Sequence, residues 1–207
     1  MRAFRRTLLV LPFALPLVAL SPRLSPWGSS WRPSLAPSEA QASVSLLLSL
    51  EELVGASRMV VVGTPISRDS KWEVIGGGKR IVTYTKVKVD RSVVGDAPAE
   101  VVVRTLGGTV GKIGQYVSGE AAMTTGAQAM LFLAGDGASL HVTAMAQGHY
   151  PVVRDEQGVS RLGKSPDAGA LLPRRGPQIS AQEALVGSKL EDGEAAIVRA
   201  RQARGAK

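Results

Sequence analysis

Apolar residues of this chain fall mainly into short runs that glycine and proline separate, and this pattern predicts a mainly β protein. The most continuous run is RMVVVGTP, residues 58–65, and its ending at Gly and Pro indicates a strand buried on both faces. Short strands spaced about ten residues apart favour a sandwich or a barrel. Further strands are expected at residues 99–106, 130–133, 141–146 and 150–154, followed by a hairpin turn at Gln157-Gly158.

A hairpin is predicted around the three consecutive glycines Gly76-Gly77-Gly78. Residues 71–75 form its first arm and residues 79–89 its second. Apolar or β-branched residues alternate with charged residues in the second arm, and this period of two is typical of a strand with one buried face. We therefore expect one set of side chains to face the core: Ile81, Thr83, Thr85, Val87 and Val89.

Two segments carry the sequence signature of a helix N-terminus. Ser49 precedes Glu52 by three residues, and Ser180 precedes Glu183 by the same spacing. In this capping box the serine hydroxyl accepts from the third amide of the helix while the glutamate reaches back to the serine amide. Short helices are thus predicted to begin at these two serines, the first of them covering residues 50–56.

The composition along the chain predicts four consecutive parts. Proline and glycine are frequent between the last strand and the second capping box, which indicates a linker. The final helix is expected to be flexibly tethered and to run to about Arg201, although Gly187 and Gly193 weaken it. The parts are a signal and Ser/Pro-rich segment at 1–42, a β-barrel domain at 43–162, a linker at 163–179 and a C-terminal helix at 180–207.

The first 20 residues have the features of a secretory signal peptide. A short basic start, MRAFRR, precedes the apolar run 7–20, which is 14 residues long and contains two prolines. A membrane-spanning helix needs about 20 apolar residues, so the signal interpretation is preferred to an uncleaved anchor. Cleavage after Ala42 and cleavage near Ala19 both fit. We expect an exported, periplasmic or extracellular protein with no stable membrane span after processing.

Charge and cysteine content exclude several classes of function. The chain carries a net charge of +8, but the first 42 residues hold five arginines and one glutamate, which leaves only +4 for the remainder. Such a charge is too small to indicate a nucleic-acid-binding protein. The absence of cysteine excludes disulfides, thiolate metal sites and a cysteine nucleophile.

The stretch RTLGGTVGKIGQYVSGE, residues 104–120, raises the question of a phosphate-binding loop. A P-loop requires glycine where Leu106 stands and a hydroxyl residue where Ile113 stands, so this chemistry is excluded. We interpret residues 107–126 instead as a long excursion at one rim of the β domain, because long ordered loops on β scaffolds often bind partners. The candidate binding residues are Gly107, Gly108, Lys112 and Tyr116.

No catalytic or metal-binding motif is present in the sequence. There is no GxSxG or HExxH pattern, and the histidines His141 and His149 have no spacing typical of metal ligands. Catalytic residues, metal ligands and cofactors are therefore not expected. An envelope-acting hydrolase stays open as an alternative, because a carboxylate pair could form in many folds. Its candidate carboxylates are Glu73, Asp90, Glu100 and Glu120.

The order of these features resembles a set of uncharacterised secreted bacterial β-rich proteins that share an opening E-L-V-x-x-S-x-x-V-V-V-G-T, here residues 52–64. It more remotely resembles the netrin-like domain, an OB fold, of the tissue inhibitors of metalloproteinases. The segments that carry the second resemblance are Val60–Gly63, Val87–Gly95 and Gly126–Leu133, within a match over Ser49–Arg154.

The resemblance implies an OB-like, Greek-key β-barrel with a short N-terminal helix and a C-terminal helix. It also implies an extracellular protein-binding module. The animal inhibitors bind the protease zinc through an amino-terminal cysteine, which this chain lacks, so no inhibitory residue is transferred. The preferred function is a non-enzymatic module that binds an extracytoplasmic protein, a protease being one candidate, with Tyr116 as the anchor. A structural envelope protein is the third alternative.

Overall fold

The computed structural model describes residues 44–136, 139–173 and 179–205, and these belong to one compact unit. The expected signal peptide lies outside the described residues. The strands are β1 (Val44–Leu46), β2 (Met59–Ile75), β3 (Gly78–Val94), β4 (Glu100–Leu106), β5 (Gly108–Val110), β6 (Ile113–Gln115), β7 (Ala129–Ala134), β8 (His141–Val142), β9 (His149–Arg154), β10 (Ser160–Leu162) and β11 (Ala170–Leu172). The helices are α1 (Leu50–Ala56), α2 (Ala181–Leu185), α3 (Leu190–Gly205) and a 3₁₀ helix, Met145–Gly148.

One antiparallel sheet dominates the described part of the chain and confirms the mainly β prediction. Its strands lie in the order β10-β9-β7-β2-β3-β4, and β8 pairs with β7. Two smaller sheets accompany it: β5 pairs with β6, and β1 pairs in parallel with β11. The named pairings leave the main sheet open, with β10 and β4 at its edges. Leu140 additionally connects to β4, since its amide donates to the Val102 carbonyl at 3.0 Å and its carbonyl accepts from the Arg104 amide at 2.7 Å.

The predicted hairpin is present and is longer than the sequence suggested. β2 pairs with β3 from Val60 to Ile75, and the chain turns at Gly76 and Gly77, both of which have positive φ. The predicted apolar run at residues 58–65 and the predicted hairpin arm at residues 71–75 are two parts of the same strand, β2. The register of β2 with β3 shifts between Pro65 and Ser67, which marks a bulge between the two parts. We call residues 66–82 of this hairpin the ribbon.

The first part of β2 is buried on both faces, as predicted. Val60 and Val62 pack in a cluster with Leu53 of α1 and Ile197 of α3. The alternate residues of β2 belong to a second cluster on the opposite face of the sheet. That second cluster includes Met59, Val61, Val87, Val101, Val103, Leu131, Leu133 and Leu140.

Both predicted capping boxes are confirmed. Ser49 accepts from the Glu52 amide at 3.2 Å while the Glu52 carboxylate accepts from the Ser49 amide at 2.9 Å. Ser180 and Glu183 form the same reciprocal pair, at 3.1 Å and 2.9 Å. These bonds satisfy amides that the first helical turn leaves without an intrahelical partner.

The C-terminal region differs from the expected flexibly tethered single helix. Residues 186–189 separate α2 from α3, and Gly187 has a φ of +84°, which breaks the helical path. α3 contacts α1 and β3, and its Ile197 is fully buried in the same cluster as α1. β11 lies within the segment expected to be a linker, and it pairs with β1.

The strand expected at residues 141–146 is wrong beyond Val142. Ala144 and Met145 adopt φ values of +53° and +57°, and a 3₁₀ helix follows from Met145 to Gly148. Positive φ is uncommon for residues other than glycine, and neither side chain gives a sequence signal for it. The turn places His149 at the start of β9.

Candidate functional site

The predicted glycine excursion contains a small hairpin, β5–β6, that begins directly against the ribbon. The Thr83 hydroxyl donates to the Gly107 carbonyl at 2.6 Å, and Ser70 Oγ lies 2.8 Å from Thr83 Oγ1. A Cβ atom at Gly108 would collide with both hydroxyl oxygens. Gly108 also has a φ of +127°, so close approach and backbone conformation both require glycine there.

Two further hydrogen bonds hold the hairpin on β3. The Gly107 amide donates to the Ile81 carbonyl at 2.7 Å, and the Ile81 amide donates to Gln115 Oε1 at 2.8 Å. The hairpin is thus fixed at both of its ends. A surface built on it is preorganised, because few of its groups lose conformational freedom on binding.

A cleft of about 150 Å³ lies between the hairpin, the ribbon and the loop that follows β6. Its floor carries the hydroxyl groups of Thr83 and Thr105, both of which are buried. The charged and aromatic side chains around it come from distant parts of the sequence. They are Arg68, Tyr116, Glu120 and Asp167.

The Glu120 carboxylate is held in place by backbone amides. One of its oxygens accepts from the Leu106 amide at 3.1 Å, and the other accepts from the Ala121 amide at 3.2 Å. A carboxylate has about four acceptor positions, so it can still accept from a partner. Glu120 is half-buried, and it therefore offers a fixed acceptor at the wall of the cleft.

The structure brings together three of the four residues that the sequence singled out. Gly107, Gly108 and Tyr116 line the cleft. Lys112 does not, because it occupies the turn of the β5–β6 hairpin. The Tyr116 side chain is 74% exposed at the rim, so it is free to contact a partner. That these residues bind a ligand stays a prediction.

Sequence reasoning missed the residues that other segments contribute to the cleft. Arg68 comes from β2 and Asp167 from the segment after β10, and the tertiary fold rather than proximity in sequence brings them to the glycines. A local sequence pattern does not reveal such a meeting. Glu120 was considered only as a general candidate carboxylate, and its position directly after Gly119 was the available signal.

Each of the four candidate carboxylates has its own partners in the structure. Hydrogen bonds from Tyr84 and then from Arg104 hold the pKa of Glu73 below its usual value. Glu100 lies 3.4 Å from the Lys86 ammonium, and Glu120 lies at the cleft. A hydrolase site would need two of these groups to converge.

Asp90 is the fourth of these carboxylates, and it also stays ionised at neutral pH. Burial alone would raise its pKa, but hydrogen bonds from Gln128 and Thr64 and the nearby Lys88 together lower it. Gln128 Nε2 donates to Asp90 Oδ2 at 2.9 Å, and Thr64 Oγ1 donates to the same oxygen at 2.7 Å. A carboxylate stabilised in this way is a poor general acid.

His149 is a buried polar residue outside the cleft. Its Nδ1 lies 2.9 Å from Ser165 Oγ, and both residues are buried. Burial lowers the pKa of His149 to about 4, while the charge of Asp167 acts in the opposite direction. This pair lacks the access to solvent that a nucleophilic serine needs, and it joins β9 to the segment after β10.

Metal binding finds no support in the described ranges 44–136, 139–173 and 179–205. No group of three or more His, Cys, Asp or Glu side chains there is placed to hold a metal ion. In the same ranges, none of the helices is both long and apolar enough to cross a membrane.

Comparison with known proteins adds no family assignment. No family model, no curated protein and no solved structure matches the chain. The resemblance to secreted bacterial proteins and to netrin-like domains therefore stays a prediction.

Proposed function

We propose that the protein is an exported, non-enzymatic module that binds an extracytoplasmic protein through the cleft beside Tyr116. The observation that carries this proposal is a fixed cleft with a largely exposed aromatic side chain at its rim. Tyrosine is enriched among the residues that dominate protein interfaces. The hydrogen bonds at Gly107 and Gln115 support it further, because they preorganise the rim.

The size of the cleft favours a protein over a small molecule. Typical ligand pockets enclose roughly 300–1,000 Å³, whereas this cleft encloses about 150 Å³. Such a space accommodates one side chain of a partner while the rest of the interface lies on the surrounding surface. Glu120 and Asp167 offer acceptors at the cleft and Arg68 offers donors, so a polar side chain of the partner fits best.

An OB-like arrangement of the sheet is part of the same proposal. An OB fold is a five-stranded, partly open barrel. The main sheet takes this form when a short segment joins its edge strand β4 to β7. Leu140 supports such closure, since its backbone bonds to β4 directly before β8 pairs with β7. The inhibitory mechanism of the animal proteins is not proposed, because it depends on a cysteine that this chain lacks. A protease remains one candidate partner.

Capture of a partner from the secreted and periplasmic fraction of the producing organism tests the proposal. The full chain serves as bait beside the Tyr116→Ala variant. Val153→Ala is the matched control, because Val153 is 50% exposed on β9 and does not line the cleft. We expect a protein that wild type and Val153→Ala retain and Tyr116→Ala loses. Equal retention by all three baits, or by none of them, would contradict the cleft as a binding site.

A structural envelope protein is the second candidate function, and one observation favours it. β7 pairs with β2 only at Met59–Gly63. From Ile66 onward, the edge of β2 that faces away from β3 has no partner among the described strands. Unpaired edges can pair with another chain. Sedimentation of the pure full chain separates the two candidates, because assembly through this edge predicts oligomers that grow with concentration, whereas a binding module stays at constant size.

A further inference from the structure

The turns of two neighbouring hairpins project into open space. The ribbon turns at Gly76 and Gly77, and the β5–β6 hairpin turns at Gly111; a Cβ atom built on any of these three glycines meets no other atom within 4 Å. β5 contacts both strands of the ribbon, so the two hairpins belong to one region of the surface. We call residues 71–80 and 109–113 together the tip surface.

Apolar side chains are unusually exposed on the tip surface. Val74 is 73% exposed, Ile113 is 57% exposed and Trp72 is 43% exposed. Val74 and Ile113 lie next to the projecting turns, within two residues of Gly76 and Gly111. Burying such side chains in an apolar environment is favourable. Because they lie at projecting turns, a deformable partner surface buries more of their area than a rigid one.

Positive charge is concentrated in the same region. The tip surface has four basic residues, Lys71, Lys79, Arg80 and Lys112, and one acidic residue, Glu73, for a net charge of +3. The described residues as a whole have 17 basic and 16 acidic side chains, a net charge of +1. The remainder of the described chain therefore carries −2, and the positive charge of the folded part lies at the tips.

Not all of these charges are free to contact a partner. Lys71 lies 4.4 Å from the centre of the Tyr84 ring and 3.7 Å from Glu73, and Glu73 also pairs with Arg104 at 2.9 Å. Among the described residues, no ion pair involves Lys79, Arg80 or Lys112. In the register of the ribbon, Lys79 lies directly opposite Val74, on the same face. Lys112 precedes Ile113 in the second hairpin, and Arg80 lies opposite Glu73 on the other face of the ribbon.

We propose that the tip surface docks on an anionic phospholipid bilayer. The basic side chains attract the anionic headgroups, and Trp72, Val74 and Ile113 enter the interfacial layer, where tryptophan is preferred. The projecting turns form no pocket for the side chains of a folded protein partner. This geometry favours a planar, deformable partner, a bilayer, over an acidic protein. This proposal goes beyond the cleft and uses different side chains.

Tryptophan fluorescence of the full chain tests this proposal directly. The chain has three tryptophans, Trp27, Trp31 and Trp72, so Trp27→Phe with Trp31→Phe leaves Trp72 as the single reporter. The probe is vesicles of phosphatidylglycerol and phosphatidylcholine in equal parts, some with brominated acyl chains. Vesicles of phosphatidylcholine alone are the control. Because only Trp72 reports, binding through the N-terminal segment does not imitate the expected signal.

We expect a blue shift and bromine quenching of Trp72 on anionic vesicles and little change on neutral ones. Lys79→Glu with Arg80→Glu should weaken the apparent affinity at least about tenfold, because the charge at the tip changes by about four units. Arg199→Glu with Arg201→Glu, the matched charge change on α3, should leave it within about twofold. Both α3 arginines are exposed.

Three results would overturn the proposal. The first is the absence of Trp72 quenching on anionic vesicles, and the second is equal quenching in the Lys79/Arg80 variant. The third is a Trp72 response to soluble poly-glutamate without a response to vesicles, which would assign the surface to an acidic protein instead. None of these results affects the cleft, since the capture experiment depends on Tyr116.

Discussion

The two parts of strand β2 have opposite environments. Residues Met59–Gly63 pair with β7, and all of them except Met59 also pair with β3. The four apolar side chains of this part are buried. The ribbon part, from Ile66 onward, pairs with β3 alone, and its Trp72 and Val74 are exposed. A bulge between Pro65 and Ser67 separates the two parts.

This difference indicates that one strand has a core part and an exposed part, and both proposed binding surfaces lie beside the exposed part. The first part holds the helical layer on one face and the second cluster on the other, so changes there affect the whole domain. The ribbon part has few apolar contacts to lose, and its end supports the tip surface and one wall of the cleft. Regions of low local stability are commonly the ones that bind partners.

The same substitution in the two parts should have very different effects on stability. Val61→Asn places an amide in a fully buried position and removes apolar burial, so we expect the free energy of unfolding to fall by about 4 kcal/mol. Val74→Asn, at a side chain that is 73% exposed, should change it by less than about 0.5 kcal/mol. Urea denaturation of both variants measures the difference, and similar losses would contradict the division.

Lowering the pH should reduce the stability of the protein through protonation of the buried His149. Its pKa is about 4 in the folded state, against 6.5 for an unperturbed histidine, so between these pH values the unfolded chain binds a proton that the native state does not. Stability is therefore complete above pH 6.5 and falls as the pH decreases toward 4, by roughly 3 kcal/mol in total. The neighbouring charged groups are Asp167, which opposes the shift, and Lys164, which lines a small cavity together with His149.

Two histidine variants isolate this effect. His149→Gln should lose the pH dependence between about pH 6.5 and 5, measured by urea denaturation at each pH. His141→Gln, at an exposed position on β8, should keep it. An unchanged slope in His149→Gln would show that other groups cause the acid sensitivity.

Two glycines of the β5–β6 hairpin should respond differently to alanine. Gly111 has a φ of +61° but open space around its Cβ position, so Gly111→Ala should cost about 1 kcal/mol. Gly108→Ala adds a collision with the Thr83 and Ser70 hydroxyls to the strain of its φ of +127°, and we expect about 2–3 kcal/mol. Thermal unfolding compares the two variants. Equal losses would mean that the hairpin does not rest closely on the ribbon.

Local sequence signals predicted those elements whose structure depends on local contacts. The capping boxes at Ser49 and Ser180 were predicted correctly because their hydrogen bonds join residues that are three apart in sequence. The alternation in β3 predicted its buried face, since Ile81, Thr83 and Thr85 are all buried there. The continuous run before Gly63 likewise predicted a strand covered on both faces.

Long-range contacts produced the features that the sequence did not reveal. The docking of α3 depends on Ile197 meeting residues far earlier in the chain, and the cleft combines Arg68, Glu120 and Asp167 from three segments. The end of β8 depends on a positive φ at Ala144, which alanine does not signal. The sequence predicts Lys112 as a binding residue because it is close to the glycines in sequence. In the structure it lies at the turn of the β5–β6 hairpin, away from the cleft.

Residue-resolved amide hydrogen exchange along β2 of the full chain tests the central claim, the division of this strand, most directly. We predict that the amides of Met59–Gly63 exchange only through global unfolding, whereas the ribbon amides that do not bond to β3 exchange orders of magnitude faster. Uniform protection along the whole strand would contradict the division. That result would mean that the ribbon is covered, and that neither the cleft wall nor the tip surface is open to a partner.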